Sequence, residues 1–243
     1  MEASPQLARA VAEADLVLLL GFGMDGWLEK LAASERKARV ALLSLGIAPK
    51  RVGPAALAEF AEVSHKHDAN EVDPHVWLDP VLAQQIVRRL ADEMSAVAPQ
   101  HRADVEARRD AYLRELRKLH ELFSAELADV KRRQVVTFHG AFAYLFARYR
   151  LETVGVIELF PGDEPSAAYL RKLVDLMRQL KMKVIFAEPQ LPDRPAQVIA
   201  QEVGGRVERL DPCETILPDA PNATYLERQR KNLETLRRVL LEP

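Results

Sequence analysis

The sequence predicts an α/β fold of two lobes, each with a mainly parallel sheet flanked by helices, joined by one long rigid helix. Three observations lead there. Short continuous apolar runs end at glycine or at a polar residue, as buried parallel strands do. Helical stretches separate these runs, and such alternation belongs to parallel α/β sheets. Between the two alternating halves lies a long helical stretch with one apolar stripe and no Gly or Pro inside it.

Each element has a local reason. Residues 8–13 read as a helical lead-in. Asp15-Leu16-Val17-Leu18-Leu19-Leu20 is an apolar run that stops at Gly21-Phe22-Gly23, a strand and its turn. A helix starts at Trp27, and residues 40–45 form a second strand closed by Gly46. Residues 49–67 read as loop and short helix. After Asp79-Pro80 a helix runs over 81–97 and stops near Pro99. The long helix follows over 102–128. Tyr112, Leu116, Leu119, Phe123 and Leu127 recur on it at spacings of three or four, one apolar face. At about 1.5 Å per residue it reaches roughly 40 Å. That length suits either a strut between lobes or an ordinary surface helix.

The second half predicts strands at 135–138, 153–157, 184–186 and 207–210. Helices are expected at 141–149, 166–180, 196–203 and 225–241, the third ended by Gly204-Gly205. The expected division is therefore an N-terminal lobe over 1–101, incomplete at its start, a linking helix over 102–128 and a C-terminal lobe over 129–243.

Composition narrows the function. Hydrophobic residues make up 48% of the 243 and charged residues 29%, the balance of a soluble globular protein. The net charge is −2, so nucleic acid is not an expected partner. Cys213 is the single cysteine, which excludes an intrachain disulfide and leaves the redox compartment open. Met1-Glu2-Ala3-Ser4-Pro5 lacks the basic start and apolar stretch of a signal peptide. Residues 16–20 are too short an apolar run to span a membrane. The chain is cytosolic, or it begins downstream of a leader.

Six histidines are present. His101 and His120 sit among charges on or beside the long helix, as residues of a solvated face would. His65 and His67 lie in the polar stretch 64–71 and are loop residues or loose metal collectors. His75 stands in Asp73-Pro74-His75-Val76-Trp77-Leu78-Asp79-Pro80, where two prolines pin the backbone and Trp77 anchors it. His139 leaves the strand 135–138 at its carboxyl end, where open α/β sheets bind ligands. Asp211 ends the strand 207–210 in the same way. Each alone reads equally well as a plain strand-end or helix-start residue. Together, two imidazoles and a carboxylate suit Zn²⁺. Glu164 and Glu188 are either orienting partners of a ligand imidazole or charges at helix starts, and stay outside the predicted ligand set. Gly21-Phe22-Gly23 lacks the third glycine and the context of a dinucleotide fingerprint.

These blocks carry a resemblance. The segments at 73–80, 137–144, 164–167, 186–190 and 210–212 resemble, in order, the signature blocks of zinc/manganese substrate-binding proteins of ABC importers. Residues 14–17 and 26–31 resemble the same family near its start, so the likeness covers essentially the whole chain. It implies two α/β lobes joined by a rigid helix, with one metal ion in the cleft between them. By that match His75 and His139 are ligands and Asp211 lies where a further carboxylate can sit. Manganese members tend to have Glu at the position of His139, so His here favours zinc, with manganese the other candidate. The polar stretch with His65 and His67 is short against the His- and acid-rich loop of zinc members.

Family members begin with a signal peptide, a first strand and a His-x-Tyr-Glu-Pro-like block that supplies the first ligand. Here the match starts just after that block, and no histidine precedes His65. The expectation is an N-terminal sheet with an unpaired edge at residues 15–20, or a partner borrowed from elsewhere such as a neighbouring chain, and weak zinc binding. The resemblance further implies a monomeric, non-enzymatic receptor, periplasmic or anchored at the outer face of the cell membrane. It would deliver a divalent metal to an ABC permease. The alternatives are a metal-dependent hydrolase, since an open zinc position can activate water, and a degenerate member that no longer binds metal.

Overall fold

The computed structural model describes residues 4–34, 37–51, 72–158, 162 and 165–242. His65, His67 and Glu164 lie outside the described residues. The first half begins with α1 (Pro5–Glu13), β1 (Leu16–Leu19), α2 (Gly26–Ser34) and β2 (Arg39–Leu42). β1 and β2 pair in parallel, Leu16 opposite Arg39, and form a two-stranded sheet among the described residues. Val11, Val17, Leu19 and Ala32 pack together beneath it. The strand expected over 40–45 is shorter because the chain turns after Leu42, and Gly46 takes the positive φ of 84° that a glycine tolerates.

The helix α3 (Pro80–Val97) starts where the sequence places it. Asp79 is its cap, accepting from Val81 N at 2.8 Å, and Pro80 sits at the first helical position. α4 (Arg102–Glu126) is one continuous helix of 25 residues. Its Leu113 and Leu116 pack with Ala83 of α3. Its Leu119 and Phe123 enter the core of the second half, beside Leu145 and Leu236. The long helix therefore joins the lobes. The buried stripe differs from the expected one at a single position. Tyr112 is exposed and Leu113 is buried, because the face runs 113, 116, 119, 123, 127. Position 112 lies only about 40° around the helix from Leu116, so spacing alone does not separate it from Leu113, and the packing of Leu113 against Ala83 of α3 does.

The second half holds β3 (Gln134–His139), α5 (Ala143–Arg148), β4 (Glu152–Glu158), α6 (Ala167–Gln179), β5 (Val184–Ala187), α7 (Arg194–Glu202), β6 (Arg206–Arg209) and α8 (Tyr225–Leu240). The strands form one parallel sheet in the order β4-β3-β5-β6. Both faces are covered, which explains the unbroken apolar runs. Val135 and Phe186 face the core shared with α4, α5 and α8. Their neighbours Val136 and Ile185 face the opposite core, with Leu173 and Met177 of α6 and Ile199 of α7. Gly205 is required by close approach, since a Cβ there would stand 2.0 Å from the carbonyl oxygen of Lys183.

Glu208 locks β6 to α8. Both its oxygens accept from Arg238, at 2.7 and 2.8 Å, and Oε1 also accepts from Arg206 at 2.8 Å. The Arg238 bonds, opposed by burial and reinforced by Arg206, hold its pKa down from 4.5 to about 2. A depressed carboxylate stabilises the fold above its unfolded pKa, and that contribution fades as pH falls through the folded value. Glu208→Gln should therefore lower stability by about 1 kcal/mol at neutral pH. Urea titrations should show the deficit shrinking as pH drops from about 4.5 towards 2.

Candidate metal centre

His75 is positioned by the block that contains it. Asp73 is fully buried and accepts from both the backbone N and the ring Nδ1 of His75, at 2.8 and 2.6 Å. Val76–Leu78 is a short 3₁₀ turn leading into α3. Trp77 Nε1 donates to Pro212 O at 2.7 Å, and Tyr225 O–H donates to Trp77 O at 2.6 Å. Gln229 Nε2 donates to Leu78 O at 3.1 Å, and Arg148 Nε to Asp79 Oδ2 at 2.8 Å. The block is thus tied to α5, to α8 and to the turn after β6, all in the second half of the chain.

His139 is the last residue of β3 and is buried. Its Nδ1 lies 2.9 Å from Oε1 of Glu188, which directly follows β5 and is also buried. The parallel order places β3 next to β5, so their carboxyl ends adjoin. His75 and His139 meet although they are distant in sequence. Their ring centroids are 5.2 Å apart in an edge-on arrangement at 75°. Each ring has its Nδ1 against a buried carboxylate, which leaves Nε2 as the nitrogen for a ligand.

Asp211 is placed otherwise. Its oxygens accept from Arg228 Nε and NH2, both at 2.5 Å, and Oδ1 also accepts from Cys213 N at 2.8 Å. Asn232 brackets its backbone, accepting from Asp211 N at 2.8 Å and donating to Asp211 O at 2.7 Å. Asp211 therefore organises the turn after β6, with its carboxylate held by Arg228. Cys213 sits in that turn at φ 58°, the left-handed region, which reverses the chain. Burial and the charge of Asp211 push its thiol up to about 12.

The turn delivers Glu214. Its Oε1 is 2.5 Å from His75 Nε2, and its Oε2 accepts from Gln190 Nε2 at 3.4 Å. Sequence reasoning passed over Glu214 because it lies three residues beyond the strand end, and the Asx-type turn at Asp211 leaves only a weak trace in sequence. Burial opposes the charge on His75, but hydrogen bonds and charge from Asp73 and Glu214 outweigh it and raise its pKa from 6.5 to about 9. Burial likewise acts to raise Glu214, and the bond to His75 prevails and lowers it. A short hydrogen bond thus joins Nε2 and Oε1, and a metal ion bound to that nitrogen would have to replace it. In this arrangement no three His, Cys, Asp or Glu side chains among the described residues stand together as a formed metal cage. The donor chemistry nevertheless fits zinc, with imidazole nitrogen and carboxylate oxygen at one spot.

Comparison with known proteins gives the same direction. The family described as "ZnuA: Zinc-uptake complex component A periplasmic" matches residues 1–239. The zinc-binding lipoprotein AdcA of Streptococcus pneumoniae (strain ATCC BAA-255 / R6) is 30% identical over 247 residues, 98% of this chain and 48% of its own length. The chain thus spans about half the length of such curated relatives. The high-affinity zinc uptake system protein ZnuA of Bacillus subtilis (strain 168) is 28% identical over 249 residues, 99% of this chain and 76% of its own. Among solved structures, the Zn(II)-bound ZnuA-like domain of Streptococcus pneumoniae AdcA superposes with a TM-score of 0.81 at 26% identity, covering 100% of this chain and 86% of that one. The laminin-binding protein Lmb of Streptococcus agalactiae, described as bifunctional with adhesin and metal transporting activity, also gives 0.81, at 30% identity, over 99% and 86%. This chain belongs to the ZnuA family of zinc-uptake components.

Proposed function

We propose that this protein is a non-enzymatic, extracytoplasmic receptor that captures zinc between its lobes and delivers it to an ABC permease. The observation that carries this reading is the pair His75–His139. Two buried imidazoles from different lobes stand 5.2 Å apart, each with Nδ1 on its own buried carboxylate. Such carboxylate–imidazole pairs orient metal-binding histidines and raise their basicity. Glu214 is the third donor. Asp211, expected from sequence as the carboxylate ligand, serves in this reading as the anchor that presents Glu214. The lobes are taken as residues 1–101 and 129–243, with 102–128 as the strut.

Relatives named as a lipoprotein and as a periplasmic component support a place outside the cytoplasm. No helix among the described residues is long and apolar enough to cross a membrane. The protein acts as a monomer that docks both lobes on the permease, with no nucleic-acid partner.

Isothermal titration with Zn²⁺ tests the reading. One ion should bind per chain. His75→Ala and His139→Ala should each abolish measurable binding, and Glu188→Ala should weaken it about 10- to 100-fold through loss of the orienting bond. Undiminished binding by the two histidine variants would sink the site.

Glu214 and Asp211 separate by readout. Glu214→Ala should weaken zinc binding while the melting temperature stays nearly constant, since its side chain is 22% exposed on a turn. Asp211→Ala should cost about 3 kcal/mol of stability, because it leaves the Arg228 guanidinium buried and unpaired. Thermal melts beside the zinc titrations would distinguish the two carboxylates.

A further inference from the structure

Gln190 stands between two of the three carboxylates that touch the imidazoles. Its Nε2 donates to Glu188 Oε2 at 3.0 Å and to Glu214 Oε2 at 3.4 Å. Ionised carboxylates only accept, so the amide nitrogen must be the atom that faces them. Gln190 therefore links the group that orients His139 with the group that meets His75. The two oxygens of Glu214 are divided between neighbours, Oε1 against His75 Nε2 and Oε2 against this amide.

We infer that Gln190 is a positioning and selectivity residue that limits Glu214 to coordination through one oxygen, favouring four-coordinate zinc over ions that take more oxygen ligands. The inference rests on the proposed function. When zinc binds at Nε2, Oε1 is already beside it and becomes the ligand atom. Oε2 remains on the amide and is withheld from the ion. Zinc suits a four-coordinate shell of nitrogen and oxygen. Manganese suits six oxygen-rich positions, and a carboxylate binding through both oxygens supplies one more. Loss of the amide donor frees Oε2 to bind as well, which raises the coordination number. The side-chain oxygen of Gln190 is buried without a hydrogen-bond partner among the described residues. The glutamine is therefore not kept in place by a bond through its oxygen, and its nitrogen contacts account for its orientation.

The test compares the full chain with Gln190→Met, which keeps length and removes the donor. Zn²⁺ and Mn²⁺ affinities are measured by chelator competition, and the visible spectrum of the Co²⁺-loaded protein reports coordination number. Gln190→Met should raise the zinc Kd roughly three- to tenfold, the worth of one ordinary hydrogen bond, as befits a contact of 3.4 Å. The manganese Kd should stay level or fall, and the cobalt bands should weaken as coordination rises. In a Glu214→Ala background the same substitution should no longer move the zinc-to-manganese ratio or the cobalt spectrum, since both act through Glu214, and any zinc weakening that remains reports the bond to Glu188. Gln190→Leu replaces it if Gln190→Met melts early. An unchanged zinc-to-manganese ratio and an unchanged cobalt spectrum, with zinc still bound, would overturn the role of Gln190 alone. A wild-type chain that binds no zinc would overturn the receptor reading, and this inference with it.

Discussion

Asp73 and Glu188 are buried carboxylates, each set against Nδ1 of one histidine. A buried charge without a partner costs several kcal/mol, so each carboxylate fixes the imidazole that relieves it. That requirement determines ring orientation, and orientation determines which nitrogen remains for a ligand. His75 is only two residues from Asp73, so its pairing is local and follows from one rigid segment. His139 and Glu188 come from different strands, so their pairing needs the sheet to be in register. The neighbourhood of β3 and β5 is what allows it. The layered core of the second half, with apolar side chains on both faces of the strands, is thus a precondition of the site.

The segment 73–80 does a second task. It enters α3 of the first lobe, yet its polar groups are bound from α5, α8 and the turn at Pro212. The prolines at 74 and 80 restrict its backbone before any of these bonds form. α4 reaches both lobes with successive turns of a single buried stripe. The relation between the lobes is therefore set by side-chain packing along a helix and by bonds to one short segment.

Much of this was legible in the sequence, and the reasons are physical. Proline-rich segments and strand ends advertise themselves, so local pattern could single out His75 and His139 as candidates, while their reading as ligands came from the family resemblance. The strand–helix alternation likewise gave the sheet of the second half with small shifts at the ends. What sequence obscured was angular or conformational detail. Tyr112 and Leu113 are adjacent and both apolar enough to fit a stripe, and only the packing against α3 decides between them. The strand-end position and the resemblance pointed to Asp211 as the carboxylate, where the proposed function takes Glu214. The turn that follows, built by Arg228, Asn232 and the left-handed Cys213, carries the chain on to Glu214.

Under the proposed function these features bear on how capture proceeds. The imidazoles are buried and doubly constrained, by their carboxylates and by the backbone that carries them. The lobes are cross-linked by Trp77, Asp79, Tyr225 and Gln229. Large closure would break several of these bonds at once, each worth about 1 kcal/mol. Glu214 is the donor with room to move, partly exposed on a tight turn and held to His75 by one short hydrogen bond. Capture then consists of replacing the His75–Glu214 hydrogen bond by an ion at Nε2, while Gln190 retains the second oxygen of Glu214. A rigid pair of nitrogens with one movable carboxylate keeps the geometry that zinc requires and still opens a path for the ion to leave.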